Sequence, residues 1–223
     1  MTLTALTSGA VEEAQMIAVF LHGHGMSPQD FLPFADALGL PVAHHLLLGP
    51  CELKDGGHAW WPRDPWYAEQ RGDPPWDLAD ERPPGLDAAR VALGDYLRGL
   101  EAQRQGRPVI VVGFSQGGML ACDALLHEDI DIDGLALLSA CRIAADDWPT
   151  RLSRLRGLPI LVAHGTNDEV LALAAGESLR DAVSAGGANV QWLPFDGGHE
   201  IPLVVWRRLR GFIQEVARSH KET

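Results

Sequence analysis

The stretch VIVVGFSQGGML, residues 109–120, constrains the fold more tightly than any other part of the chain. Four successive β-branched residues, Val109 to Val112, predict a strand buried on both faces. Met119 to Leu126 reads as helix. Only six residues separate the two, four of them Gly113, Ser115, Gly117 and Gly118, so the chain must turn sharply from strand to helix with Ser115 at the tip.

Strand-like apolar runs recur at 16–21 (MIAVFL), 135–139 (LALLS), 160–164 (ILVAH) and 190–195 (VQWLPF). Helical patterns lie between the later runs. Leu86, Leu93, Leu97 and Leu100 mark one face of a helix over 86–104. Ile201, Val205, Leu209, Phe212 and Val216 mark another, with Pro202 suited to its first turn. Buried parallel strands alternating with amphipathic helices predict an α/β fold: a mostly parallel twisted sheet with helices on both faces. At 223 residues the chain is expected to form one domain, 1–223.

A formal net charge of −12 argues against nucleic acid or an anionic membrane surface as the main partner, because like charge repels phosphate. The three cysteines, Cys51, Cys122 and Cys141, form no CxxC pair and are expected to be buried thiols. The segment MTLTALTSGAVEEAQ has neither a basic start nor a long apolar run, and no run reaches the roughly 18 residues of a membrane helix. A cytoplasmic location without a membrane span is expected. Oligomeric state is not readable.

Residues 51–85 break the alternation, being rich in proline, glycine and charge yet holding four of the seven tryptophans: Trp60, Trp61, Trp66 and Trp76. A loop of this length inside a domain is usually functional or disordered, and its aromatic content argues for function near a site. Trp60 and Trp61 are expected to offer an apolar wall to substrate, at least one of them bordering the pocket.

Gly113-Phe114-Ser115-Gln116-Gly117 fits G-x-S-x-G, in which a strained serine is presented at a strand-to-helix turn and the flanking glycines let helix and strand approach. A serine hydroxyl needs a base to take its proton, and the base needs a third group to orient it. Asp168 comes after the strand ending at His164, and His199 after the next one. Ser115, Asp168 and His199 therefore all lie beyond the carboxyl ends of strands, the edge where open α/β sheets bind ligands. Glu169 and Asp196 are rival acids by position. An oxyanion hole needs two backbone N–H groups, and Gln116 supplies one while the turn His22-Gly23-His24-Gly25 offers the second. His22, His24, His44, His45 and His58 lack an HExxH or similar spacing, so neither a metal nor another cofactor is expected.

Taken together, LHGHG, GFSQGGML, HGTNDEV and GGHEIP, in that order, resemble the phospholipase/carboxylesterase family of α/β-hydrolases, which includes the acyl-protein thioesterases. The resemblance spans about residues 16–217. It implies Ser115 as nucleophile, Asp168 as acid, His199 as base, and the amides of His24 and Gln116 as oxyanion donors. HAWWPRD resembles an aromatic segment common in relatives. The resemblance thus implies a serine hydrolase of carboxylic esters or thioesters that acts on a small-molecule substrate. The alternatives are a lysophospholipase, an acyl-protein thioesterase, or a non-catalytic binding protein on the same scaffold.

Overall fold

The computed structural model describes residues 2–9, 13–62 and 72–221. Its centre is the strand read first from the sequence. β6 (Val109–Phe114) is buried along its whole length, as a β-branched run flanked by strands on both sides must be. It pairs in parallel with β2 (Met16–Leu21) on one side and β7 (Gly134–Leu138) on the other. β8 (Pro159–Gly165) and β9 (Asn189–Phe195) extend the sheet in parallel beyond β7.

On the far side β3 (Val42–Leu48) pairs in parallel with β2, and β1 (Thr4–Ser8) closes the edge antiparallel to β3. The order of the seven-stranded sheet is β1-β3-β2-β6-β7-β8-β9. A short ladder of β4 (Cys51–Glu52) and β5 (His58–Ala59) stands apart.

Helices cover both faces. On one lie α2 (Leu86–Arg104), α3 (Gln116–His127) and α4 (Leu173–Ala185), which bury Leu93, Leu97, Leu120 and Leu179 with Val111 and Val162 of the sheet. On the other lie α1 (Pro28–Ala37) and α5 (Leu203–Lys221), which bury Phe31, Leu209, Phe212 and Val216 against Phe20, Val112 and Leu161. No helix among the described residues is long and apolar enough to cross a membrane.

The expected elements are present with small shifts. β7 stops at Leu138 because Ser139 turns to a φ of 44°. α5 begins one residue after Pro202, whose carbonyl receives the N–H groups of Val205 and Trp206, and Ile201 packs on the core from outside the helix. The 51–85 segment is not one featureless loop. It contains β4 and β5, and Trp76 bonds through its backbone to Val170 and Ala172 as a parallel bridge beside the Asp168 turn. Trp66 lies outside the described residues.

Candidate active site

The Ser115 turn is built by exclusion of side chains. Ser115 sits at φ 51°, ψ −120°, a conformation that costs a non-glycine residue about 1–3 kcal/mol and persists only where its surroundings enforce it. Its N–H donates to Leu138 O of β7, and its carbonyl accepts from Gly118 and Met119, the first turn of α3. A Cβ on Gly113 would lie 2.5 Å from Gly118 Cα, and one on Gly117 would lie 2.4 Å from Leu21 O of β2. Both glycines are thus required by close backbone approach.

β8 carries the chain to Asp168, and β9 to His199. The two loops are tied together: Thr166 N–H donates to Phe195 O, Asn167 N–H to Gly197 O, and the Asn167 amide to Asp196 Oδ1 at 2.8 Å. Asp196 is thereby engaged in holding the loops, and Glu169 is exposed. The Asp168 side chain is fully buried. Its Oδ1 accepts the N–H groups of Val170 and Leu171, each at 2.8 Å, and its Oδ2 faces His199 Nδ1 at 2.8 Å.

Burial alone would raise the carboxyl pKa of Asp168, but hydrogen bonds from His199 and from the Leu171 and Val170 amides outweigh it and hold the pKa below the usual carboxylate value. A carboxylate only accepts, so His199 Nδ1 carries the proton and Nε2 is left as acceptor, 2.9 Å from Ser115 Oγ. Ser115, His199 and Asp168 form one continuous chain of hydrogen bonds.

The His22–Gly25 turn comes after β2 and is anchored on three sides. Gly25 N–H donates to His58 O, and the Trp60 indole N–H donates to His22 O at 2.8 Å. The buried His22 ring accepts Gly49 N–H at Nε2, which makes Nδ1 the donor to Gly23 O at 2.7 Å. Burial lowers the pKa of this imidazole, in keeping with a neutral ring. His24, Ser115 and Gln116 border one narrow cavity of about 40 Å³, with Trp61, Met119, Ile143 and Leu171 among its walls. His199 borders a separate, wider cleft of about 310 Å³ that has Phe114, Phe34 and Trp206 among its walls.

The family model described as Phospholipase/Carboxylesterase matches residues 95–217, more than half of the chain and the part that carries Ser115, Asp168 and His199. The chain belongs to the phospholipase/carboxylesterase family. It is a hydrolase, with the esterase activity of that family. Among solved structures, esterase PE8 superposes with a TM-score of 0.82 at 23% identity, over 97% of this chain and 100% of that one. The carboxylesterase of Bacillus cereus gives 0.71 at 18% identity, over 96% and 94% of the two chains. Acyl-protein thioesterase 2 of Zea mays gives 0.72 at 18%, over 96% and 98%. At these identities the shared property is the α/β-hydrolase fold.

Within this hydrolase the two adjacent tryptophans part company. Trp61 borders the narrow cavity. Trp60 is 1% exposed and is not among the cavity's walls: its indole lies tilted against the His22 ring, centroids 5.2 Å apart, and its backbone N–H donates to Gln116 Oε1 at 2.9 Å. Gln116 Nε2 donates in turn to Trp61 O at 3.1 Å.

Two supporting side chains escaped the sequence reading. One is the Gln116 amide just described. The other is His164, fully buried, whose Nε2 lies 3.1 Å from Leu171 O and 3.5 Å from Asp168 Oδ2. A polar residue ending an otherwise apolar strand, four before Asp168, was the available signal. Among the described residues no group of three or more His, Cys, Asp or Glu is placed to hold a metal ion. Cys122 and Cys141 are buried free thiols as expected, whereas Cys51 is free but only half-buried; burial pushes the Cys122 and Cys141 pKa values up, that of Cys141 to about 12.

Proposed function

We propose that the chain hydrolyses carboxylic esters of small molecules through an acyl-enzyme on Ser115, acting as one domain over 1–223. The observation that carries this reading is the pair of contacts on His199: Nδ1 to Asp168 Oδ2 at 2.8 Å and Nε2 to Ser115 Oγ at 2.9 Å. The tautomer they imply is the one that can take a proton from Ser115.

In the proposed cycle Ser115 Oγ attacks the ester carbonyl carbon while His199 Nε2 takes the hydroxyl proton. Asp168 holds the ring and stabilises the imidazolium. The amides of His24 and Gln116 receive the oxyanion, a donor role typically worth about 3 kcal/mol each in the barrier. Collapse breaks the bond to the alcohol, which leaves with the proton from Nε2. Water, activated by the same imidazole, then releases the acid and restores Ser115. No step requires a metal or cofactor.

The experiment is a rapid-mixing assay with p-nitrophenyl acetate. A burst of p-nitrophenol equal to about one per chain, with an acetylated protein in the quenched mass spectrum, is the expected result. Steady release from the first turnover at saturating substrate, with no acetylated species under any quench, would count against an accumulating acyl-enzyme.

A further inference from the structure

The hydrogen bond between Ser115 and His199 joins two residues that border different cavities of unequal size. Ser115 borders the slot of about 40 Å³, whose apolar walls include Trp61, Met119 and Ile143. His199 borders the cleft of about 310 Å³ between α1 and the start of α5. That cleft is largely aromatic. Phe34 and Trp206 stack with centroids 5.0 Å apart and planes 5° apart, Phe114 lies 5.1 Å from the His199 ring, and Phe34 is 49% exposed. Its charged lining residues are Asp30 and Glu200; no Lys or Arg is among its described walls.

The chemistry assigns a different substrate part to each space. In the tetrahedral intermediate the carbonyl carbon bears Ser115 Oγ, the oxyanion, the alcohol oxygen and the acyl chain. The oxyanion belongs at the His24 and Gln116 amides. The alcohol oxygen must come within reach of His199 Nε2, because that nitrogen returns the proton when the bond to the alcohol breaks. The alcohol therefore lies on the His199 side and the acyl chain on the slot side. A cavity of about 150 Å³ accepts benzene, so the slot is far too small for a ring while the cleft has room for one with substituents.

We infer that this hydrolase takes a short acyl group in the Trp61 slot and a ring-bearing alcohol without negative charge in the Phe34–Trp206 cleft. This assignment rests on the triad reading proposed above. The two carboxylates at the cleft repel an anionic leaving group, and the flat stacked pair offers an aromatic face on which a ring can pack.

The test compares kcat/KM of the purified full chain on methyl acetate, benzyl acetate, benzyl hexanoate and the acetate ester of 4-(hydroxymethyl)benzoate. Methanol and benzyl alcohol are similar in acidity, so their ratio reads binding rather than leaving-group reactivity. Benzyl acetate is expected to exceed methyl acetate by about tenfold or more, the scale of burying one ring. Benzyl hexanoate should fall at least about tenfold below benzyl acetate, the lower end of the discrimination a pocket makes against a single misfit methylene. The carboxylate-bearing ester should also fall below benzyl acetate.

Phe34→Ala, at an exposed position, should lower the benzyl-to-methyl ratio, and Trp61→Ala should raise the hexanoate-to-acetate ratio. A benzyl-to-methyl ratio near one, or a preference for hexanoate that Phe34→Ala removes, would overturn the assignment. If Ser115 is labelled by a fluorophosphonate and these ratios still fail, the assignment alone is wrong. If nothing is labelled and no ester is cleaved, the triad reading falls with it.

Discussion

The side-chain oxygen of Gln116 accepts the backbone N–H of Trp60 at 2.9 Å, across 56 positions of sequence. The same amide donates to Trp61 O, and the Trp60 indole donates to His22 O. One strut thus joins the serine turn to the turn after β2, the two sources of the proposed oxyanion donors. Replacing Gln116 by Ala keeps its backbone N–H but leaves the buried Trp60 N–H and Trp61 O without these partners. A loss of about 1–3 kcal/mol in unfolding free energy is expected, with a fall in kcat larger than any rise in KM. Urea unfolding and steady-state kinetics read the two effects. Unchanged kcat would mean that the strut does not set the donors.

Asp168 should be the acid and its neighbours bystanders. Asp168→Asn is expected to lower kcat by about 10⁴, as when an amide favours the wrong imidazole tautomer in serine proteases. Asp196→Asn and Glu169→Gln should stay within about tenfold of the parent, since Asp196 serves Asn167 and Glu169 is exposed. Comparison of the three variants on one ester decides it. A crippling Asp196→Asn beside a mild Asp168→Asn would reverse the assignment.

Stability should decline as the medium is acidified from about pH 7.5 to about pH 5. Burial lowers the pKa of His22, His44, His45 and His164 below the usual imidazole value. Below about pH 6.5 the unfolded chain takes up these protons while the folded chain resists them. The unfolded state then binds more protons, so folding stability falls as the pH is lowered, by up to about 1.4 kcal/mol per pH unit for each such histidine. Urea midpoints across this range measure the slope. His44→Phe, which replaces a ring whose buried Nε2 has no hydrogen-bond partner among the described residues, should make the slope shallower. A flat profile over the same range would contradict this.

How much of the molecule is legible in the chain depends on how local each determinant is. β6, the serine turn and α3 are adjacent in sequence, and their glycines are dictated by contacts that any such turn makes, so Ser115 is visible at once. Asp168 and His199 stand out as candidates because each comes after a strongly apolar strand. β3 is not, since His44 and His45 interrupt its apolar run; the structure buries both rings, with His45 Nδ1 2.7 Å from the Tyr96 hydroxyl. α1 is hidden by Pro28 at its start and Pro33 within it, and β1 by a five-residue edge strand of mixed polarity. The split between Trp60 and Trp61 is not readable either. It depends on which indole reaches His22 O, a contact 38 positions away in sequence.

The central claim is that Ser115 is the nucleophile, and the most direct measurement pairs one substitution with one label. Ester hydrolysis is assayed in the parent and in Ser115→Ala, and both are treated with a fluorophosphonate and mapped by peptide mass spectrometry. Alanine removes only the hydroxyl. The expected result is a fall in kcat approaching about a millionfold, as for comparable nucleophile knockouts, with a single phosphonyl adduct on the Ser115 peptide of the parent and none on the variant. A Ser115→Ala protein that is folded and keeps a tenth of the parental activity, or a parental adduct on any other residue, would contradict the account.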